Sequence, residues 1–420
     1  MARILGRHLA GAVAAALADT RVVAINGARQ AGKSTLVHAL MKGRAGEERT
    51  LDDATTLAAA RADPNRFVRH DGLLALDEVQ RAPELMLAIK VAVDRSTDAG
   101  QFLLTGSARL LGLRKLPDAL VGRMETLELW PFSQGEVEQR RDGFIDAVFS
   151  DEVQVRAQGD ESREGYAERI SRGGFPEAVR RDEGRRARFF SAYGGDLVDR
   201  DVSQLADIQR RDVLHQLLKT IAGRAAQLLK NERLASDAGL PTTTLERYLS
   251  LFEEVFLIKR VLPWSASTTE RAVRMRKLLF VDSGLCAHLQ GRTVKRLERD
   301  DAALGPLLEN FVLGELARQL GWAATQATLH HYRTRDGVEV DAVLEAADGR
   351  IVGIEVKSAE TVRAEDFSGL RHLQARVPDR FHHGLVLYTG GKTLPFGDRL
   401  VAAPIEALWS TEISTRRGRR

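Results

Sequence analysis

Cysteine is almost missing: Cys286 is the only one in 420 residues. That excludes an intramolecular disulfide framework and suits a reducing compartment. Long apolar runs are missing as well. None approaches the roughly 20 residues that cross a bilayer, so a soluble, cytoplasmic protein with no membrane partner is expected. Charge of one sign is not in great excess either, since 62 Lys and Arg face 58 Asp and Glu and leave a net charge of +4. Such a balance permits nucleic-acid binding without demanding it. The Ala-rich stretch from Leu9 to Ala18 superficially resembles a secretory leader. An apolar strand begins only four residues later, at Val22, so a helix covering a sheet is the better reading. At about 150 residues per domain, the length suggests about three domains.

What is present begins with Gly27-Ala28-Arg29-Gln30-Ala31-Gly32-Lys33-Ser34, which fits the phosphate-loop pattern G-x-x-x-x-G-K-[ST]. Val22 to Ile25 before it reads as a strand, and Thr35 to Met41 after it reads as a helix. A glycine-rich turn between those elements points N–H groups inward, and the helix adds its positive end. Together they form a cradle for ATP polyphosphate. Lys33 is expected to reach the β- and γ-phosphates and Ser34 to ligate Mg²⁺, with Thr35 completing the binding run.

Gly72-Leu73-Leu74-Ala75-Leu76-Asp77-Glu78 is a continuous apolar run closed by two acids. Such a run suits a central parallel strand, with the acids at its carboxyl end, where ligands of open α/β sheets bind. Asp77 is then expected to hold Mg²⁺ through water, and Glu78 to orient or deprotonate the attacking water. The next strand, Gln101 to Leu104, ends in Thr105-Gly106-Ser107. Either Thr105 or Ser107 is placed to contact the γ-phosphate or the water.

Gly27 to Thr35, Leu76 to Pro83, Leu104 to Ser107, and Gly122-Arg123 with Leu129-Trp130-Pro131-Phe132 together resemble a family of prokaryotic AAA-type ATPases. These carry a C-terminal domain of unknown function numbered 4143. The resemblance covers almost the whole chain and also takes in Arg276 to Leu285, where Asp282 reads as structural. It implies an ATPase that often works as a homo-oligomer. Arg123 becomes a candidate γ-phosphate or inter-subunit arginine, with a structural ion pair as the alternative; Arg81 is a weaker candidate of the same kind.

Further on, residues 214 to 225, 234 to 238 and 245 to 256 carry helical spacing, with Gly239-Leu240-Pro241 as a turn and Leu257 to Pro263 as a strand. Helix, helix, turn, helix and strand is the order of a winged helix-turn-helix, whose second motif helix can enter a DNA groove. Thr243, Thr244 and Arg247 would be its exposed readers, although such folds also serve as protein-docking modules.

Near the C-terminus, Val338 to Leu344 and Val352 to Lys357 alternate with a strand period, and Ala346-Ala347-Asp348-Gly349 supplies a turn. A hairpin here brings Asp341, Glu355 and Lys357 together. That trio resembles the restriction-endonuclease-like nucleases, in which the carboxylates hold Mg²⁺ and the Lys serves the hydrolytic water. The helix from Leu307 to Leu316 could add Glu309 or Glu315.

The whole chain therefore reads as an α/β protein. A P-loop NTPase core of the AAA type covers 1–135, a helical lid and connector 136–204, a winged-helix-like region 205–290, and a restriction-endonuclease-like α/β domain 291–420. Three functions fit it: ATP hydrolysis coupled to DNA binding or remodelling, an ATP-controlled switch for a protein partner with an inactive nuclease-like domain, and an ATP-gated DNA nuclease.

Overall fold

The computed structural model describes residues 5–106, 120–151, 155, 159–202, 211–266 and 275–411. The chain divides into two compact units, Arg7–Pro131 with Glu254–Leu257, and Met1–Gly6 with Phe132–Glu253 and Ile258–Arg420.

In the first unit, helix α1 (Leu9–Asp19) precedes β1 (Val22–Asn26), which leads through the glycine-rich turn into α2 (Lys33–Met41). The remaining strands are β2 (Gly46–Thr50), β3 (Leu73–Asp77), β4 (Phe102–Gly106) and β5 (Met124–Glu128), and α3 (Leu85–Arg95) connects β3 to β4. The five strands run parallel in the order β2-β3-β4-β1-β5. Every residue of β1, β3 and β4 is buried, as unbroken apolar runs require when helices cover both faces. Successive side chains of β1 go to opposite sides. Val23 and Ile25 join Leu9, Val13 and Leu36 from α1 and α2, while Val22 and Ala24 join Leu85, Ile89 and Val93 from α3. Parallel strands place all their carboxyl ends at one edge. The turn after β1, the acids closing β3 and Thr105 of β4 therefore emerge side by side.

The second unit contains α4 (Arg163–Arg172), α5 (Glu183–Asp196), α6 (Arg211–Ala222), α7 (Asn231–Asp237), α8 (Thr242–Glu254), β6 (Ile258–Pro263), β7 (Lys277–Phe280) and α9 (Asp301–Gln319). These are followed by β8 (Ala327–Arg333), β9 (Glu339–Ala346), β10 (Ile351–Lys357), α10 (Ser368–Arg376), β11 (Phe381–Tyr388), β12 (Leu394–Gly397) and β13 (Leu400–Pro404). Its mixed sheet has the order β12-β13-β11-β10-β9-β8-β6-β7. The strand expected over Leu257 to Pro263 forms as β6, pairs antiparallel with β7, and extends the C-terminal sheet, because Leu262 and Pro263 pair with His330 and His331 of β8. Trp264, Val340, Val343, Ile351, Leu370 and Leu373 form the core between that sheet and α10. Among the described residues, no helix is long and apolar enough to cross a membrane.

Candidate active site

The glycines of the turn after β1 are there for steric reasons. A Cβ on Gly27 would lie 2.1 Å from the carbonyl oxygen of Leu129, and Gly32, just before α2, has φ of 97°, which a side chain would oppose. Lys33 opens α2 and is only 5% exposed. Its Nζ donates to the carbonyls of Gly27 at 2.9 Å and Ala28 at 3.0 Å, so the loop curls around the ammonium. Ala28 and Ala31 are buried, while Arg29, Gln30, Ser34 and Thr35 lie toward solvent.

Ser34 and the acid strand meet directly. Ser34 Oγ donates to Asp77 Oδ2 at 2.8 Å, Thr105 donates to the other oxygen of Asp77, and Thr105 Oγ1 accepts the Glu78 N–H at 3.2 Å. Thr105 can do this because β4 lies between β1 and β3, which brings its fully buried hydroxyl beside the acids. Glu78 has a left-handed backbone, with φ of 57°, and accepts a hydrogen bond from the Gln80 amide. Lys33, Ser34, Asp77, Glu78 and Thr105 therefore form one constellation. Ser107 lies outside the described residues.

A second cluster forms in the C-terminal sheet. β9 and β10 make the antiparallel hairpin read from the sequence, with Ile354 opposite Ala342. Asp341 Oδ2 accepts the Val356 N–H at 3.0 Å, and Lys357 Nζ lies 3.7 Å from Glu355 Oε2. Lys277 of β7 joins them, with Nζ 2.5 Å from Glu309 Oε1 and 3.4 Å from Asp341 Oδ1. Burial, followed by the Asp341 charge, pushes Glu309 up to about 7 and Glu355 up to about 9. Burial alone would lower Lys277, yet Glu309 and Asp341 outweigh it and hold the ammonium above its ordinary value. Glu315, expected beside these groups, is elsewhere. It is 1% exposed, accepts the Gln134 N–H at 3.0 Å and pairs with Arg318 at 3.2 Å. Six residues along a helix turn the side chain through about 240°, so Glu309 faces the cluster and Glu315 does not.

Residues 19–138 match the AAA domain family, and that stretch holds the loop, the acid strand and Thr105. The chain carries an AAA ATPase domain. Residues 304–408 match a domain of unknown function, DUF4143, and residues 163–296 another, DUF8612. An uncharacterized protein of Mycobacterium tuberculosis is 29% identical over 96% of this chain and 85% of its own length. A second, from Haemophilus influenzae, is 24% identical over 71% of this chain and 69% of its own. Among solved structures, a Walker-type ATPase of Pyrococcus abyssi is 16% identical with a TM-score of 0.42, covering 68% of this chain and 96% of that one.

Within the AAA domain, Arg123 lies far from the loop. It immediately precedes β5, whose Met124 pairs with Val22 at the start of β1, so it sits at the amino edge of the sheet. Five residues at about 3.3 Å each separate that edge from the phosphate loop. Its guanidinium pairs with Asp94 at 2.5 Å, the ion-pair alternative. Arg81 pairs with Asp52 at 3.1 Å and donates to the Leu51 carbonyl at 3.2 Å. Arg7, by contrast, touches the loop although no motif marks it. It donates to the Ala31 carbonyl at 2.9 Å and to the Trp130 carbonyl, tying the loop to the segment after β5.

In the second unit, Thr243 and Arg247 of α8 are exposed and Thr244 is half-buried. The opposite face of α8 buries Leu245, Leu249 and Phe252. Leu228, between α6 and α7, makes an isolated bridge to Lys277 of β7, and the element order is helix α6, helix α7, helix α8 and the paired strands β6 and β7. Arg260 of β6 anchors α8 through Glu246 at 2.7 Å and Glu253 at 2.5 Å. Asp282 is structural: it is 1% exposed and accepts N–H groups from Gly174 at 2.7 Å and Leu285 at 2.8 Å.

Proposed function

We propose that this chain is a Mg²⁺-dependent ATPase that couples hydrolysis to DNA held by its winged-helix-like arm. The observation that carries the catalytic half is the chain of contacts from Ser34 through Asp77 to Thr105. A hydroxyl and a carboxylate at 2.8 Å, beside a buried ammonium and a helix N-terminus, are the donor set that suits a hard divalent ion and a polyphosphate. Ser34 and Asp77 would hold Mg²⁺, which when bound neutralises phosphate charge. Lys33 would bind the β- and γ-phosphates. Thr105 fixes the Asp77 carboxylate by hydrogen bonding one of its oxygens, and Glu78 would take the proton of the attacking water.

The DNA half is supported by the order of helices α6, α7 and α8 followed by the paired strands β6 and β7, and by Thr243 and Arg247 on the exposed side of α8. In a homo-oligomer Arg123 could serve a neighbouring copy's phosphate only by giving up its ion pair with Asp94. Dependence on ATP and a single buried cysteine fit work in the cytoplasm. The test is the ATPase rate with and without duplex, single-stranded and branched DNA. Stimulation by DNA, lost in Arg247→Ala and falling steeply with salt, supports coupling. A rate indifferent to every DNA would instead favour a nucleotide-controlled switch that docks a protein partner.

A further inference from the structure

We infer that Lys277 takes the place of a divalent cation in the C-terminal carboxylate cluster, so that the nuclease-like pocket is a closed ion cluster binding the β6–β7 hairpin to the sheet and does not cut DNA. The contacts of two of the cluster's three carboxylates, Asp341 and Glu309, argue for this. Asp341 Oδ1 and Glu309 Oε1 face the Lys277 ammonium at 3.4 Å and 2.5 Å. Asp341 Oδ2 is taken by the Val356 N–H, and the Asp341 carbonyl accepts from the same ammonium at 3.3 Å. A magnesium ion would need such oxygens at about 2.0–2.1 Å, in the space the ammonium occupies. Among the described residues, no group of three or more His, Cys, Asp or Glu is arranged to hold a metal ion.

Nor can Lys277 step aside cheaply. Its backbone pairs with Val261 on one side and bridges to Leu228 on the other. Its neighbours are fixed in the same way, through Leu229 N–H to the Arg276 carbonyl at 2.8 Å and Leu278 N–H to the Gln227 carbonyl at 2.9 Å. The residue is 8% exposed. Expelling its ammonium from both carboxylates would leave a buried charge without a partner, which interiors tolerate poorly. The lysine therefore supplies the positive charge that a metal supplies in a cutting site, and being part of a strand it also locks the hairpin in place.

The test is Mn²⁺ binding to the nucleotide-free full chain, followed by electron paramagnetic resonance. The wild-type chain and Asp341→Asn should bind the same number of ions. Lys277→Met should gain one further ion per chain, lost again when Asp341→Asn is added. An ion in the wild-type chain that Asp341→Asn removes, or Mn²⁺-dependent cleavage of plasmid DNA lost in Asp341→Asn, would overturn the inference. So would a folded Lys277→Met that gains no ion. If Lys277→Met fails to fold, the comparison of the wild-type chain with Asp341→Asn decides alone.

Discussion

Glu78 is the residue on which the proposed turnover depends most narrowly, because it is the carboxylate that follows Asp77 at the end of β3 and its N–H is held by Thr105. Glu78→Gln keeps the shape and the neutral hydrogen bonds but removes the base. Turnover should fall by about 10²–10⁴-fold with nucleotide affinity nearly unchanged, which steady-state hydrolysis and binding of a fluorescent ATP analogue would separate. A second residue-scale prediction concerns acid. His383 is 7% exposed, its Nδ1 lies 3.2 Å from the Val148 carbonyl, and burial, with His382 beside it, lowers it from 6.5 to about 4. Once unfolded, the same imidazole takes up a proton near pH 6.5. The unfolded chain therefore binds more protons between pH 6.5 and 4, and stability falls as pH drops through that window and is fully present above it. Urea unfolding of the second unit at several pH values should show this slope, flattened in His383→Gln. An unchanged slope would remove His383 from the account.

Among the elements, the turn between β1 and α2 is fixed by sequence in the most literal way. Gly27→Ala pushes a Cβ against the Leu129 carbonyl, and backbone cannot yield as a flexible side chain can. The AAA domain should lose about 1–3 kcal/mol and bind the ATP analogue more weakly, as thermal unfolding and fluorescence would measure; unchanged values would mean that the loop relaxes freely. That element was legible in the sequence because strand, turn and helix are contiguous and each has its own local signal. The β9–β10 hairpin was legible for the same reason. Contacts between distant segments that carry no motif were not. Arg7 meets Ala31 and Trp130 with no spacing to announce it, and Lys277 reaches Glu309 and Asp341 from another hairpin. Glu309 and Glu315 could not be told apart, because α9 is buried around most of its circumference and its apolar pattern therefore points to no single face. The position of Arg123 followed from β5, whose polar sequence Met124-Glu125-Thr126-Leu127-Glu128 on a partly exposed edge strand gives little strand signal.

At the scale of the molecule, the chain joins an AAA ATPase domain to a second unit in which the β6–β7 pair and the DUF4143 strands form one continuous sheet. That continuity gives the second unit one shared sheet through which a force on α8 could be borne, as coupling to DNA would require. The proposed activity depends on the loop from Gly27 to Ser34 binding a nucleotide, with Asp77 and Glu78 assisting the attack of water on it. The most direct measurement is Mg²⁺-dependent phosphate release from ATP by the full chain beside Lys33→Ala. The account predicts turnover by the wild-type chain and its loss, together with ATP binding, in Lys33→Ala. Full hydrolysis by Lys33→Ala, or none by the wild-type chain in the presence of Mg²⁺, would contradict it.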